Sequence, residues 1–238
     1  MIHERIRRAR LLRGLSLEAV AQSLGDISKQ ALSKYEKGGP PPNSTRLLQL
    51  AKVLSVKPEY FFRVDTVQLA SLEFRKLARM PQKRQHQVGE QMRDHLERYL
   101  CLERCFEVDG EVQAMEQPRS LTVNSPDEAE GAAEALRDRW NIGADAIAHL
   151  TELLEEHGIK VALLDDQDGF DGACAATEDE NHVLIALNRN RPGERLRFTA
   201  AHELGHWVMS LPEGMPEKDK EVCCHRFAGP PTQSRGGS

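Results

Sequence analysis

The sharpest chemical signal in this chain is two histidines four residues apart with a glutamate beside the first, His202-Glu203-Leu204-Gly205-His206. On a helix, residues four apart project from one face, so two imidazoles at this spacing can grip one Zn²⁺. The carboxylate of Glu203 then falls beside a metal-bound water. A hydrolytic zinc needs a third protein ligand and an open fourth position. The downstream donors are Glu213, Glu217, Glu221, Cys223, Cys224 and His225. Of these, Glu221, Cys224 and His225 share one helical face, so periodicity leaves the choice among them open.

A second set of residues suits a polyanion. Residues 1–64 hold 12 Lys and Arg against 5 Asp and Glu, a net charge of +7; residues 65–105 stand at +2, and 106–238 carry the balance of −14 within an overall −5. A small basic region joined to an acidic one points to nucleic acid as partner of the first and not of the second. Within the basic region, Ser28-Lys29-Gln30-Ala31-Leu32-Ser33-Lys34 presents Lys29, Gln30, Ser33 and Lys34 on one exposed face. Glutamine can pair with both edge groups of adenine, and lysine suits guanine or phosphate.

The elements that must position these residues follow from spacing. Ile6, Ala9, Leu12 and Leu15 recur at helical intervals, and Gly14, after the arginines of 5–13, is the helix stop. Ser16 is placed to cap a second helix bearing Leu17, Val20, Ala21 and Leu24, and Gly25 ends it. Ser28 caps a third, Lys29 to Lys37, which completes a helix-turn-helix pair. After Gly38-Gly39-Pro40-Pro41-Pro42, Ser44 is the expected cap of a fourth helix, and Pro58 opens a short fifth. Met80-Pro81 breaks the next segment, and Gln82 to Arg104 carries an apolar stripe of Val88, Met92, Leu96 and Leu100. Its partner is the second domain, another copy of the chain, or the basic domain. Residues 106–124 read as loop with an extended stretch at Leu121-Thr122-Val123. Helices are expected from Ser125 to Trp140 and from Ala144 to His157, the latter closed by Gly158. Strands are expected at 159–164 and 182–187, with a third at Gly172 to Ala176. Helices follow at Glu194–Ser210 and Glu217–Phe227.

Residues 4–62, with Arg13-Gly14-Leu15-Ser16, Ser28 to Gly38 and Leu50-Ala51-x-x-Leu54-x-Val56, resemble the XRE (Cro/repressor-type) helix-turn-helix family, which implies binding of a duplex DNA operator through Ser28, Lys29, Gln30, Ser33 and Lys34. Leu17 stands where members of that family often carry glutamine. Phe198-Thr199-Ala200-Ala201 before the histidine motif, Ile185-x-Leu187-Asn188 upstream, and Glu221-x-x-Cys224-x-Arg226-Phe227-Ala228 downstream resemble the ImmA/IrrE family of metallopeptidases over residues 126–228. That resemblance implies Glu221 as third zinc ligand beside His202 and His206, Glu203 as general base, and a helix-turn-helix repressor as the protein substrate. It departs from the family after Ala228. There residues 229–238, rich in Gly and Pro, cannot extend a helix and are expected to form a disordered tail.

The expected fold is therefore α+β. It comprises a five-helix DNA-binding domain (1–64), a helical linker and loop (65–124), a zincin-like α+β domain with a small sheet (125–228), and the tail. No run approaches the roughly 18 apolar residues of a membrane span. The five cysteines include no Cys-x-x-Cys pair, so reduced thiols and a cytoplasmic location are expected, with no membrane partner. The expected activity is zinc-dependent endoproteolysis by a DNA-binding regulator. The competing expectation is a non-enzymatic transcription factor or antitoxin-like binder whose peptidase-like domain serves as a sensor or dimerisation module. A homodimer fits either.

Overall fold

A computed structural model describes residues 1–64, 67–70, 80–106, 116–143, 145–165 and 169–229. Residues 230–238 of the expected disordered tail (229–238), and residues 65–66, 71–79 and 107–115 of the expected linker, lie outside the described residues. The chain divides into two compact units, residues 1–68 with 74–101, and residues 69–73 with 102–238. No helix among the described residues is long and apolar enough to cross a membrane.

In the first unit, helices α1 (Ile2–Leu12), α2 (Leu17–Leu24), α3 (Lys29–Glu36) and α4 (Ser44–Val53) precede a 3-10 turn, Pro58–Phe62. They enclose a core of Ile6, Ala9, Val20, Leu32, Leu50, Leu54 and Phe61. Side-chain caps set the starts: Ser16 accepts from Ala19 N–H and Ser28 from Ala31 N–H. The cap of α4 is Asn43, which accepts from Arg46 N–H, and not Ser44, which is the first helical residue. Gly25 ends α2 at φ +80°, a left-handed conformation that glycine adopts without strain.

Helix α5 (Gln82–Cys105) begins just after Pro81, and as far as Cys101 it belongs to this same unit. The stripe residues Val88, Met92 and Leu96 are buried, whereas Leu100 is only half-buried. Beside them the buried carboxylate of Glu97 accepts from Arg5 Nη1 at 2.7 Å and from Arg8 Nη1 at 3.2 Å. Arg5 also donates to the carbonyls of Arg63 and Val64. The Glu97 carboxylate thus ties α5 to α1.

The second unit is built on a three-stranded sheet in the order β2-β4-β3. Strand β2 (Ile159–Leu164) runs parallel to β4 (Val183–Asn188), and β3 (Gly172–Ala176) runs antiparallel to it. All six residues of central β4 are buried. Asn188 closes that strand, its side chain donating to Phe170 O at 2.7 Å and accepting from Asn190 N–H. Strand β1 (Leu121–Thr122) pairs in parallel with β5 (Met209–Ser210). Helices α6 (Ala129–Arg139), α7 (Leu150–Glu156), α8 (Gly193–Val208) and α9 (Glu217–Ala228) share one core with the sheet.

Three helical expectations need correction here. Helix α8 ends at Val208 and not at Ser210, because Met209 and Ser210 pair with Leu121 and Thr122 as strand β5. Pro126–Glu128 is a 3-10 turn, so α6 proper starts at Ala129. Helix α7 starts at Leu150, about six residues later than expected from Ala144. Its would-be first turns are held open by arginines: Arg137 donates to the carbonyls of Gly143 and Asp145, and Arg197 to those of Ile147 and Ala148. Carbonyls engaged in this way are not available to a helical ladder. A buried acidic anchor ties the unit's first segment in place, for Glu116 accepts from Trp140 Nε1 at 2.8 Å while Trp207 Nε1 donates to the Glu116 carbonyl at 3.1 Å.

Candidate metal centre and nucleic-acid interface

Helix α8 carries the histidine motif in the middle of the second unit, and two glycines set how closely its neighbours approach. A Cβ at Gly205 would stand 3.1 Å from Phe227 Cδ1 and 3.3 Å from Met209 Cε, so the bare backbone there lets α9 lie directly against α8. At Gly172 an added Cβ would overlap Thr199 Cγ2, which brings β3 equally close to the other end of the motif segment. The residues that look like spacing in Phe198-Thr199-Ala200-Ala201 are thus part of a tight helix–sheet contact: Thr199 and Ala200 are buried.

This packing gathers the donors. His202 is 5 % exposed and Glu203 3 %. The Glu221 carboxylate of α9 faces both histidines, Oε2 at 3.4 Å from His202 Nε2 and Oε1 at 3.4 Å from His206 Nε2. That exceeds an ordinary hydrogen bond of about 2.7–3.2 Å. It equals the separation of about 3.4 Å between two ligands each about 2.1 Å from one tetrahedral ion. The residues present therefore fit a zinc ion in donor type and spacing.

Cys224, one turn beyond Glu221, is another of the donors that periodicity left open, and it too lies at the histidines. Its sulfur and one ring nitrogen from each of His202 and His206 all lie within 4.8 Å of one another. The neighbouring Cys223, about 100° further round the helix, has its Sγ 3.9 Å from Met215 Sδ, and burial pushes its thiol pKa up. Its role is packing. His225 lies at the solvent edge with its ring 4.6 Å from that of His202 and 5.5 Å from that of Phe198. Glu213 and Glu217 are exposed, outside the cluster. The signal for Cys224 was the helical face it shares with Glu221.

In the first unit, Ser28, Lys29, Gln30 and Lys34 are exposed on α3 and Ser33 is half-buried. Ser28 serves also as the helix cap. The arginines of α1 are largely engaged within the unit. Besides Arg5 and Arg8, Arg10 forms a two-pronged pair with Glu36 at 2.7 Å for each prong, and Arg13 donates to the carbonyls of Leu54 and Ser55. Arg46 pairs with Asp26, whose carboxyl the guanidinium holds below its usual range. The +7 of residues 1–64 is therefore not a measure of free cations; Arg63 pairs with Asp94 at 3.5 Å, and Arg7, Lys29, Lys34, Lys37, Lys52 and Lys57 are the exposed ones outside these pairs.

Comparison with curated proteins and with solved structures finds no match. The Helix-turn-helix family matches residues 6–61, a stretch that runs from α1 through the 3-10 turn and includes the α2–α3 pair. The first unit of this chain therefore contains an XRE-type helix-turn-helix, the DNA-binding part of a regulator.

Proposed function

We propose that the second unit of this DNA-binding regulator is a zinc-dependent endopeptidase, and that its substrate is a partner protein, a separate helix-turn-helix repressor being the class favoured. The observation that carries the reading is the facing of both His202 and His206 by one Glu221 carboxylate at 3.4 Å, with Glu203 buried on the same helix. Those three side chains would hold the ion. Zinc, when bound in such a site, lowers the pKa of a coordinated water to about 7 and polarises a scissile carbonyl. Glu203 would take the proton from the attacking water at its carboxylate and deliver it to the leaving amine. His225, at the solvent edge with its ring 4.6 Å from that of His202, is the candidate donor to the developing oxyanion. The resemblance to ImmA/IrrE peptidases supports the same assignment.

The test is Glu203→Gln. The amide preserves size but cannot accept the proton, so the variant is expected to keep its metal and its DNA binding while the partner repressor stays intact in cells. A second reading, a non-enzymatic regulator whose second unit is a sensor or dimerisation module, draws on the thiol of Cys224 beside the histidines. Equal reporter output and no cleaved partner in wild type and Glu203→Gln alike would favour it.

A further inference from the structure

We infer that Cys224 is a fourth zinc donor that closes the metal site, so that the chain as folded is a latent hydrolase whose open position appears only when the thiolate leaves. The inference rests on the zinc reading above and extends it. Two donors from α9 address the same pair of histidines on α8. His202 and His206 project from α8, Glu221 and Cys224 from α9, with the thiol within 4.8 Å of a nitrogen of each histidine and the carboxylate at 3.4 Å from both. A tetrahedral zinc has four positions. Two imidazoles, one carboxylate oxygen and one thiolate fill them, whereas a hydrolytic site must leave one for water.

The two consecutive cysteines differ in their surroundings: Cys223 Sγ lies 3.9 Å from Met215 Sδ, whereas Cys224 is the one whose sulfur groups with the two histidines. Cys224 is fully buried, so it is no surface thiol. Thiolate is also the softest donor present. Its presence shifts the site toward Zn²⁺ and Co²⁺ and away from Mg²⁺ or Mn²⁺, which favour oxygen ligands. Occupation by the thiolate and attack by water at the same position exclude each other. Hydrolysis therefore requires Cys224 to be displaced, and its rate is set by how readily the sulfur leaves.

Cobalt reports the ligand set directly. The full chain is stripped of metal and titrated with Co²⁺ alone, and the same is done for Cys224→Ala and Cys224→Ser. The expected result is one Co²⁺ per chain in all three, with an intense near-ultraviolet thiolate-to-cobalt band in the wild type that both variants lose. Zinc-loaded Cys224→Ala is expected to cleave the partner repressor faster than wild type, and the double variant with Glu203→Gln to lose that gain. One Co²⁺ per chain without the thiolate band in wild type would overturn the fourth-donor inference and leave the His202, His206 and Glu221 site standing. No stoichiometric metal in folded wild type would overturn both. Circular dichroism of each variant separates ligand loss from unfolding, and the serine variant keeps the side-chain volume if alanine disturbs the helix.

Discussion

Replacing Glu97 with alanine perturbs the first unit at its most charged buried point. The carboxylate there neutralises two guanidiniums that are themselves 1 % and 4 % exposed, and Glu97 is 6 % exposed. Deleting one partner of a buried ion pair leaves the remaining charge uncompensated, at a cost of about 3–5 kcal/mol. Here two cations lose their shared partner, although Arg8 keeps the half-exposed Glu4 at 3.6 Å. The lower end of that range is therefore expected, about 3 kcal/mol. For a unit of this size 1 kcal/mol moves the midpoint by about 4–8 °C, so the first transition in a thermal scan should fall by roughly 12 °C or more. Glu97→Gln keeps an acceptor for one guanidinium but presents its amide to the other, and should fall between wild type and alanine. The assay is calorimetry of the full chain, with circular dichroism to follow helix loss. A shift below about 1 kcal/mol for both variants would refute the reasoning, because it would mean that the pair is hydrated and α5 is held by its apolar stripe alone.

Other perturbations test the remaining parts. Gln30→Ala should weaken operator binding by about 1–3 kcal/mol and relax preference at one base position, while Lys29→Ala or Lys34→Ala should each reduce the log–log salt slope by about one, measured by fluorescence anisotropy across salt. Burial raises the Tyr60 hydroxyl to about 12, against 10 in the unfolded chain. Its contribution is thus fully present below pH 10 and is lost as pH rises from 10 through 12. The loss is about 2–3 kcal/mol, and Tyr60→Phe should remove that part of the alkaline decline in stability. Gly205→Leu should drive Phe227 and Met209 away, destabilise the second unit by about 1–3 kcal/mol and lower its zinc content by metal analysis, whereas Gly172→Ala should destabilise the unit through Thr199.

What the sequence disclosed depended on whether an interaction was local. Ser16 and Ser28 were legible as caps because capping acts over three residues, and the three strands were legible from short apolar runs between turns. Asn43 and Ser44 are adjacent capping residues, and only the backbone entering α4 from the buried Pro42 decides between them. The late start of α7 was illegible, since it depends on arginines from α6 and α8 reaching the carbonyls of 143–148. The basic charge of α1 was read correctly as charge and wrongly as available charge, because the partners of Arg5 and Arg8 lie about ninety residues away. At the candidate metal centre the histidines stood out from spacing, and Glu221 was singled out only through resemblance. Cys224 shared their face in the pattern, but telling which of two consecutive cysteines groups with the histidines required the contact of α9 with α8.

Strand β4 has a consequence for how this protein can be measured. Its six residues are buried and it is hydrogen-bonded along both edges, so its amides have no local route to solvent. They should exchange hydrogen only when the whole second unit opens, and their rate is a clock for global unfolding. Helix α9 packs against α8 at Gly205 and its Arg226 donates to the Pro126 carbonyl, but its outer face carries exposed residues. Its amides should exchange through detachment of that helix alone. The ratio of the two rates, taken within one molecule and one sample, reads how firmly the donors on α9 are held against those on α8, with the central strand as internal standard.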